Sequence, residues 1–348
     1  MSRHWKEAVI LLICLGGIIQ MIIFPLGPLF TYKMGREHKV WMPVFQNVFP
    51  YLFYTVMCLP FAIYKLASSS FTYSKKDFFK YFLSHYALVG FLDVHAFLGF
   101  TFALRFTSLL SLFVIMNSYT LFAHIASFSK TFRNYEFWRY VLFGFNIFGL
   151  ISFCISDYYQ QNGNQLFLNK SYNATEFQPT SINLQGNLMT IISTICLTFS
   201  IYLRKGLIDR SSKTFTVGLS SFFSLLVLTI YYFIFELSSS IDFLITDMYQ
   251  VDDNFFARLY FIGYFIVSIL NTYWMMSIQQ AMPNQYFGII IFFAAIQAII
   301  YNFTVFQFKW NPGHIVAMVS YAIASPLNIV LIQDTVSPIE KDEKERFF

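Results

Sequence analysis

Charge is what this sequence has least of. Only 12% of its 348 residues are Asp, Glu, Lys or Arg, about half the share of roughly 25% found in soluble domains. So few charges cannot clothe a water-facing surface, and a soluble globular protein is excluded. Cysteine is also scarce: Cys14, Cys58, Cys154 and Cys196 all fall inside apolar segments. That placement argues against an exported disulfide framework or a spaced metal site, and the four read as packing thiols. The sequence contains no G-x-G-x-x-G, P-loop, H-E-x-x-H or G-x-S-x-G motif and no spaced carboxylate pair, so nothing in it suggests an enzyme, and no cofactor or metal is expected. The net charge of +5 is scattered over short loops, not gathered on one basic face, which excludes nucleic acid as a partner.

What is abundant is apolar bulk. Hydrophobic residues make up 57% of the chain, 45 of them Phe and 23 Tyr, and apolar runs of roughly 18 residues or more recur along it, each long enough to cross a hydrocarbon core about 30 Å thick. The bilayer is the expected solvent. Phe and Tyr are spread over every run, which fits lipid-facing packing better than base stacking. The N-terminal run begins with basic residues like a signal peptide, but it is too long and has no A-x-A-like cleavage site, so it is read as the first span.

The expected fold is an all-α polytopic membrane protein of ten helices, at 7–32, 40–66, 81–104, 107–129, 137–156, 187–204, 214–236, 256–278, 284–304 and 310–332. The third and fourth are parted only by RFTS, and the eighth and ninth only by QQAMPNQ with Pro283. With a cytosolic N-terminus, 16 of the 23 basic residues, among them Arg204 and Lys205, fall on cytosolic segments, as the positive-inside rule requires. The first outer loop, KMGREHK, runs against it. The longest loop carries the sequons NKS and NAT, so Asn169 and Asn173 are candidate glycosylation sites on a lumenal face, the same side the charges assign it.

LDVHAFLGFTFAL, from Leu92, lies without a gap over LNTYWMMSIQQAM, from Leu270, setting Asp93 over Asn271. The offset superimposes helices 3–5 on helices 8–10. Five is odd, so the second copy enters the membrane inverted, an arrangement recurrent in transporters. The expected organisation is a five-helix half over 1–156, a lumenal loop over 157–186, a second half over 187–332 and a charged cytosolic tail over 333–348.

The run ALRFTSLLSLFVIMNSYTLFAHIASF, followed by a basic loop and WRYVLFGFNIFGLISF, resembles the drug/metabolite transporter superfamily, and QQAMPNQYFGIIIFFAAIQAIIYNF with NPGHIVAMVSYAIASPLNIVLI resembles its C-terminal counterpart. Gly313-His314 stands where that pattern has Gly-Glu. An Asp in the third helix a dozen residues before Thr-Ser is similar to the F-type members of solute carrier family 35 and to chloroquine-resistance-transporter-like proteins. The resemblance implies ten helices in two inverted halves and alternating access. No GALNK motif is present, which argues against GDP-mannose.

Polar residues inside spans are the candidate substrate contacts, because each costs free energy in lipid unless it faces protein or water. Asp93 lies at the centre of helix 3, and the readings are a cavity-facing substrate or proton site or an acid that ties two helices together. Arg105 is too far along the axis to pair with it, and His95 faces elsewhere and reads as an interhelical donor. Helix 4 offers Asn117, Thr120 and His124 as one polar stripe, helix 8 Ser268, Asn271 and Trp274, and helix 9 Gln297, Tyr301 and Thr304, either lining a pocket or hydrogen-bonding between helices. Mid-span cations look almost absent, which favours a cationic, zwitterionic or neutral solute over a nucleotide sugar.

The functional expectation is a secondary transporter of a small polar metabolite in an endomembrane, Golgi being favoured by the terminal Phe347-Phe348, with proton coupling as an option. The alternatives are a nucleotide-sugar antiporter of the same fold and a seven-helix chemosensory-type receptor. The expected partners are a small-molecule substrate and the lipid bilayer; a homodimer and a plasma-membrane address are left open.

Overall fold

A computed structural model describes residues 18–19, 22–38, 40–68, 83–123, 125, 137–167, 183–237, 255–281, 290–293, 295–297, 300 and 315–324. Among them there is no strand. The principal helices are α1 (Leu26–Glu37), α2 (Pro43–Ala67), α3 (Leu83–Phe106), α4 (Leu109–Met116), α5 (Phe137–Phe167), α6 (Asn183–Arg210), α7 (Lys213–Tyr231, continued by a π-helical turn over Tyr232–Glu236) and α8 (Phe255–Ala281). A further apolar helix covers Ile315–Ala324. Five helices, α2, α3, α6, α7 and α8, are long and apolar enough to cross a membrane. The protein is an all-α, multi-pass membrane protein. The sequons at Asn169 and Asn173, the charged tail, His124 and Tyr301 lie outside the described residues.

Bulky apolar side chains on the outside of the bundle, such as Val56, Met57, Ile63 and Phe235, meet lipid where a soluble protein would place charge. Inside, many of the hydroxyl groups are satisfied within their own helix. On α6, Thr190, Ser193, Thr194 and Thr198 each donate to the carbonyl four residues earlier at 2.7–2.8 Å, which removes the cost of a free hydroxyl in a dry interior. These small residues also let α6 lie close against α3. Where helices touch most closely, glycine is required: a Cβ at Gly90 would come within 2.6 Å of the Ser220 carbonyl oxygen on α7, and one at Gly218 within 2.7 Å of the Cys58 backbone on α2.

Helix boundaries depart from expectation where local chemistry decides them. The RFTS break is real and has a mechanism: Ser108 caps α4 by accepting from the Ser111 N–H at 3.0 Å, while Thr107 donates to Asn187 Oδ1 of α6 at 2.8 Å. Helix 4, expected unbroken, turns at Asn117 and Ser118 before resuming at Tyr119; there the backbone N–H groups reach carbonyls three residues back, a tighter winding than α. KMGREHK is largely the last turn of α1, where Lys33 pairs with Glu37 at 2.8 Å, so its excess of positive charge is partly cancelled on the spot. Helix α6 runs past the expected end at 204 to Arg210.

The N-terminus of α2 is capped from across the chain. Pro43 has no N–H to satisfy, Val44 and Phe45 donate to Glu236 Oε1 and Oε2 at 3.0 and 2.8 Å, and Gln46 donates to the Met42 carbonyl at 2.9 Å. One carboxylate thus satisfies two open donors of that helix end, and the Gln46 bond begins the helix's own ladder. One end of the bundle therefore gathers Val44, Thr107, Asn187 and Glu236. At the opposite end Lys65 donates to the Ser211 carbonyl at 3.3 Å and Tyr86 to Ser211 Oγ at 3.2 Å, over an apolar plug of Ala62, Val89, Leu207, Phe215 and Leu219.

Candidate substrate cavity

A cavity enclosing about 730 Å³ of empty space, its open mouth included, lies between α1, α2, α3 and α8. Its walls are Gly27, Pro28 and Thr31 of α1, Asn47, Pro50, Tyr51 and Tyr54 of α2, Phe97, Phe100, Thr101 and Leu104 of α3, and Tyr264, Val267, Ser268, Asn271 and Thr272 of α8, with Phe24 and Met116 completing them. These stretches occupy the first half of α2, the last third of α3 and the middle of α8, so the cavity extends from the bundle centre toward the Glu236 end.

Its polar wall is one connected network. Tyr264 donates to Asn47 Oδ1 at 2.9 Å, Asn47 Nδ2 donates to the Pro43 carbonyl at 2.7 Å and to Thr101 Oγ1 at 3.3 Å, and Thr101 donates to the Phe97 carbonyl at 2.7 Å. Three helices, α2, α3 and α8, are joined through it. Deeper in α2, the Tyr54 hydroxyl donates to the Ile269 carbonyl of α8. Pro50 on the same wall lacks the N–H that would bond the carbonyl one turn back, a local weakening of α2 beside the cavity.

Past the cavity, toward the Ser211 end, lies a buried ion pair. Asp93 Oδ2 accepts from Arg204 Nη2 and Asp93 Oδ1 from the Ser200 hydroxyl, and Arg204 Nη2 also donates to Ser200 Oγ at 3.0 Å. Arg204 is 1% exposed and Asp93 3%. Tyr51 links this pair to the cavity: it lines the cavity wall, bonds Ser224, and lies within electrostatic reach of both charges.

The expectation that the span interior holds only a negative charge is therefore overturned. Arg204 was assigned to a cytosolic segment because the sixth helix was ended at that residue; the helix continues for six more residues, and the side chain turns inward to Asp93. The site residues drawn from the sequence fall in different places. Asn271 is in the cavity wall with Ser268. Asp93 is just beyond the wall, in the ion pair. Asn117, next to the wall residue Met116, donates to the Phe113 carbonyl at 2.8 Å, and its Oδ1 is buried with no partner among the described residues. Thr120, which is not a wall residue, donates to Asn146 Oδ1 of α5 at 2.7 Å and lies 3.1 Å from the Asn117 carbonyl oxygen. Trp274 is half-buried against Tyr273, outside the cavity wall, and Gln297 is half-buried with an unpartnered Oε1 among the described residues. His95 joins α3 to α7 through Tyr231 at 3.0 Å.

Asn47, Tyr51, Tyr54, Thr101 and Tyr264 were not singled out by sequence. Pro50 inside an apolar run was a signal for the α2 wall, and Ser200 with Arg204 at i, i+4 was one for the ion pair. Tyrosines were hidden by their number.

No protein-family model matches this chain, and no curated protein matches it. Among solved structures, a crystal structure described only as that of a protein is similar at a TM-score of 0.54 and 12% identity, over 92% of this chain and 97% of that one. The likeness extends over nearly the whole of both chains and is one of fold alone.

Proposed function

We propose that the protein is a secondary transporter that carries a small polar metabolite across an endomembrane by alternating access. The observation that carries this reading is the cavity itself: a largely apolar space with one hydrogen-bonded polar wall, formed by helices from both halves of the sequence and linked through Tyr51 to a charge-balanced pair. Only a solute pathway or a functional site is worth placing ionisable groups at such depth.

The packing fits two inverted five-helix repeats. Under the overlay of Leu92 on Leu270, α3 corresponds to α8, α6 to α1 and α7 to α2. The close pairs α3–α6 and α8–α1 are then equivalents, and α2–α7, another close pair, maps onto itself. In this reading the Glu236 end is lumenal and the Ser211 end, with Lys65, Lys205, Arg210 and Lys213, is cytosolic, and the structure is that of a carrier closed at the cytosolic end.

The test is uptake by the purified protein in liposomes offered a labelled metabolite extract, together with impermeant thiol labelling of single cysteines placed in the 157–185 and 204–213 segments of intact vesicles. Accumulation above protein-free vesicles and labelling of the two segments from opposite faces are expected. No uptake of any solute, or labelling of both from one face, would sink the reading.

A further inference from the structure

The guanidinium of Arg204 is incompletely used. It carries five N–H bonds and no acceptor. The two on Nη2 are taken by Asp93 and Ser200, while Nε and Nη1 are buried without an acceptor among the described residues. Three donors of one cation are thus left over at a depth where each is costly. Asp93 likewise accepts two hydrogen bonds of the roughly four that a carboxylate can take.

We propose that Asp93 and Arg204 together form a split subsite for a small zwitterion, whose anionic oxygens accept from Arg204 Nε and Nη1 and whose cationic group donates to Asp93. Tyr51 is the partition between this subsite and the cavity, and swings aside to admit the solute. The subsite rests on the transporter reading above and narrows its substrate class.

Charge balance selects the zwitterion. The pair is neutral as it stands, and a solute carrying both signs leaves it neutral while giving each unused group a partner. A lone cation or anion adds a net charge to a low-dielectric interior, where an unbalanced charge is heavily penalised. A neutral solute satisfies the hydrogen bonds but forgoes their charge-assisted strength.

The experiment uses the purified full chain in liposomes, with uptake into protein-free liposomes subtracted, and a panel of α-amino acids, each compared with its decarboxylated amine, a cation, and its 2-hydroxy acid, an anion. At least one amino acid is expected to enter at least about tenfold faster than both its analogues, because the mismatched analogue leaves a buried charge unpaired. The doubly neutral variant Asp93→Asn/Arg204→Gln is expected to compress that preference below about threefold while eluting as wild type on size exclusion. Should it fail to accumulate, Arg204→Lys decides: it keeps the charge but not the five-donor fork, and KM for the preferred amino acid rises about tenfold. An amine or hydroxy acid that enters through the protein as fast as its amino acid, a preference that survives in these variants, or a panel left outside while other solutes from a metabolite extract enter would each overturn the subsite. If the wild type moves neither panel nor extract, the transporter reading falls and takes the subsite with it.

Discussion

Helices α3 and α8 overlay in sequence without a gap, yet they are treated differently by the fold. Of the most apolar 18 residues of α3, 56% are buried, against 17% in α8. Around α3 the contacts are backbone-close: a Cβ at Gly186 of α6 would lie 2.7 Å from Thr107, and one at Gly90 would lie 2.6 Å from Ser220 of α7. Between α1 and α8 the approach is looser at the backbone: a Cβ at Gly27 would make ordinary contact with Tyr264 and Val267 at 3.9 Å, and one at Gly263 would lie 2.9 Å from the Phe30 ring, the far end of a side chain. At the overlaid positions, α3 carries a carboxylate locked to Arg204, and α8 carries an amide in the cavity wall. One helix thus lies in a buried seam and the other along a more exposed, yielding wall, a contrast that the proposed carrier would use.

The contrast is broken most forcefully at the ion pair. Arg204→Ala or Asp93→Ala leaves the other charge buried alone and is expected to cost about 3–5 kcal/mol, enough to abolish accumulation of a monodisperse protein; neutralising both together should restore most of it. Gly90→Ala and Gly218→Ala come next, at about 1–3 kcal/mol each for forcing backbones apart, read as a fall in the thermal midpoint followed by size-exclusion fluorescence. Glu236→Gln, which removes the charge from the α2 cap, is expected to cost about 0.5–2 kcal/mol by the same assay. Tyr264→Phe, on the yielding wall, should cost only about 0.6 kcal/mol, the average for a helix–helix hydrogen bond in lipid. The smallest effect is expected for Gly27→Ala, within about 0.5 kcal/mol; a loss equal to that of Gly90→Ala would erase the difference between the two sides.

The five helices long and apolar enough to cross a membrane were legible in their approximate places because apolar length is a property of single segments. Asp93 stood out for the same reason, as a charge in an apolar run. Its partner did not, because whether Arg204 lies in a loop or in a core depends on where α6 stops, and the string LRKGLID reads as a basic loop until the helix is seen to continue through it. Asn271 was found from its spacing; Asn47 and Tyr264, which meet across 217 residues, had no local signature. In the helix 4 stripe Asn117 and Thr120 stay neighbours, the Thr120 hydroxyl reaching the Asn117 carbonyl at 3.1 Å, but the tighter winding at Asn117 and Ser118 could not be read from spacing of i, i+3 and i+7 alone.

The cap on α2 has a consequence for how the protein is made. Val44 and Phe45 are bonded by a residue that leaves the ribosome 191–192 positions later, an interval of about 10–40 s at roughly 5–20 residues per second. Until α7 is inserted, the start of α2 holds open donors that only water or headgroups can satisfy. The start of α2 is therefore expected to stay near the interface until α7 is inserted. A ribosome stalled before Glu236 should leave Pro43–Phe45 accessible to aqueous probes, and one released beyond it should not.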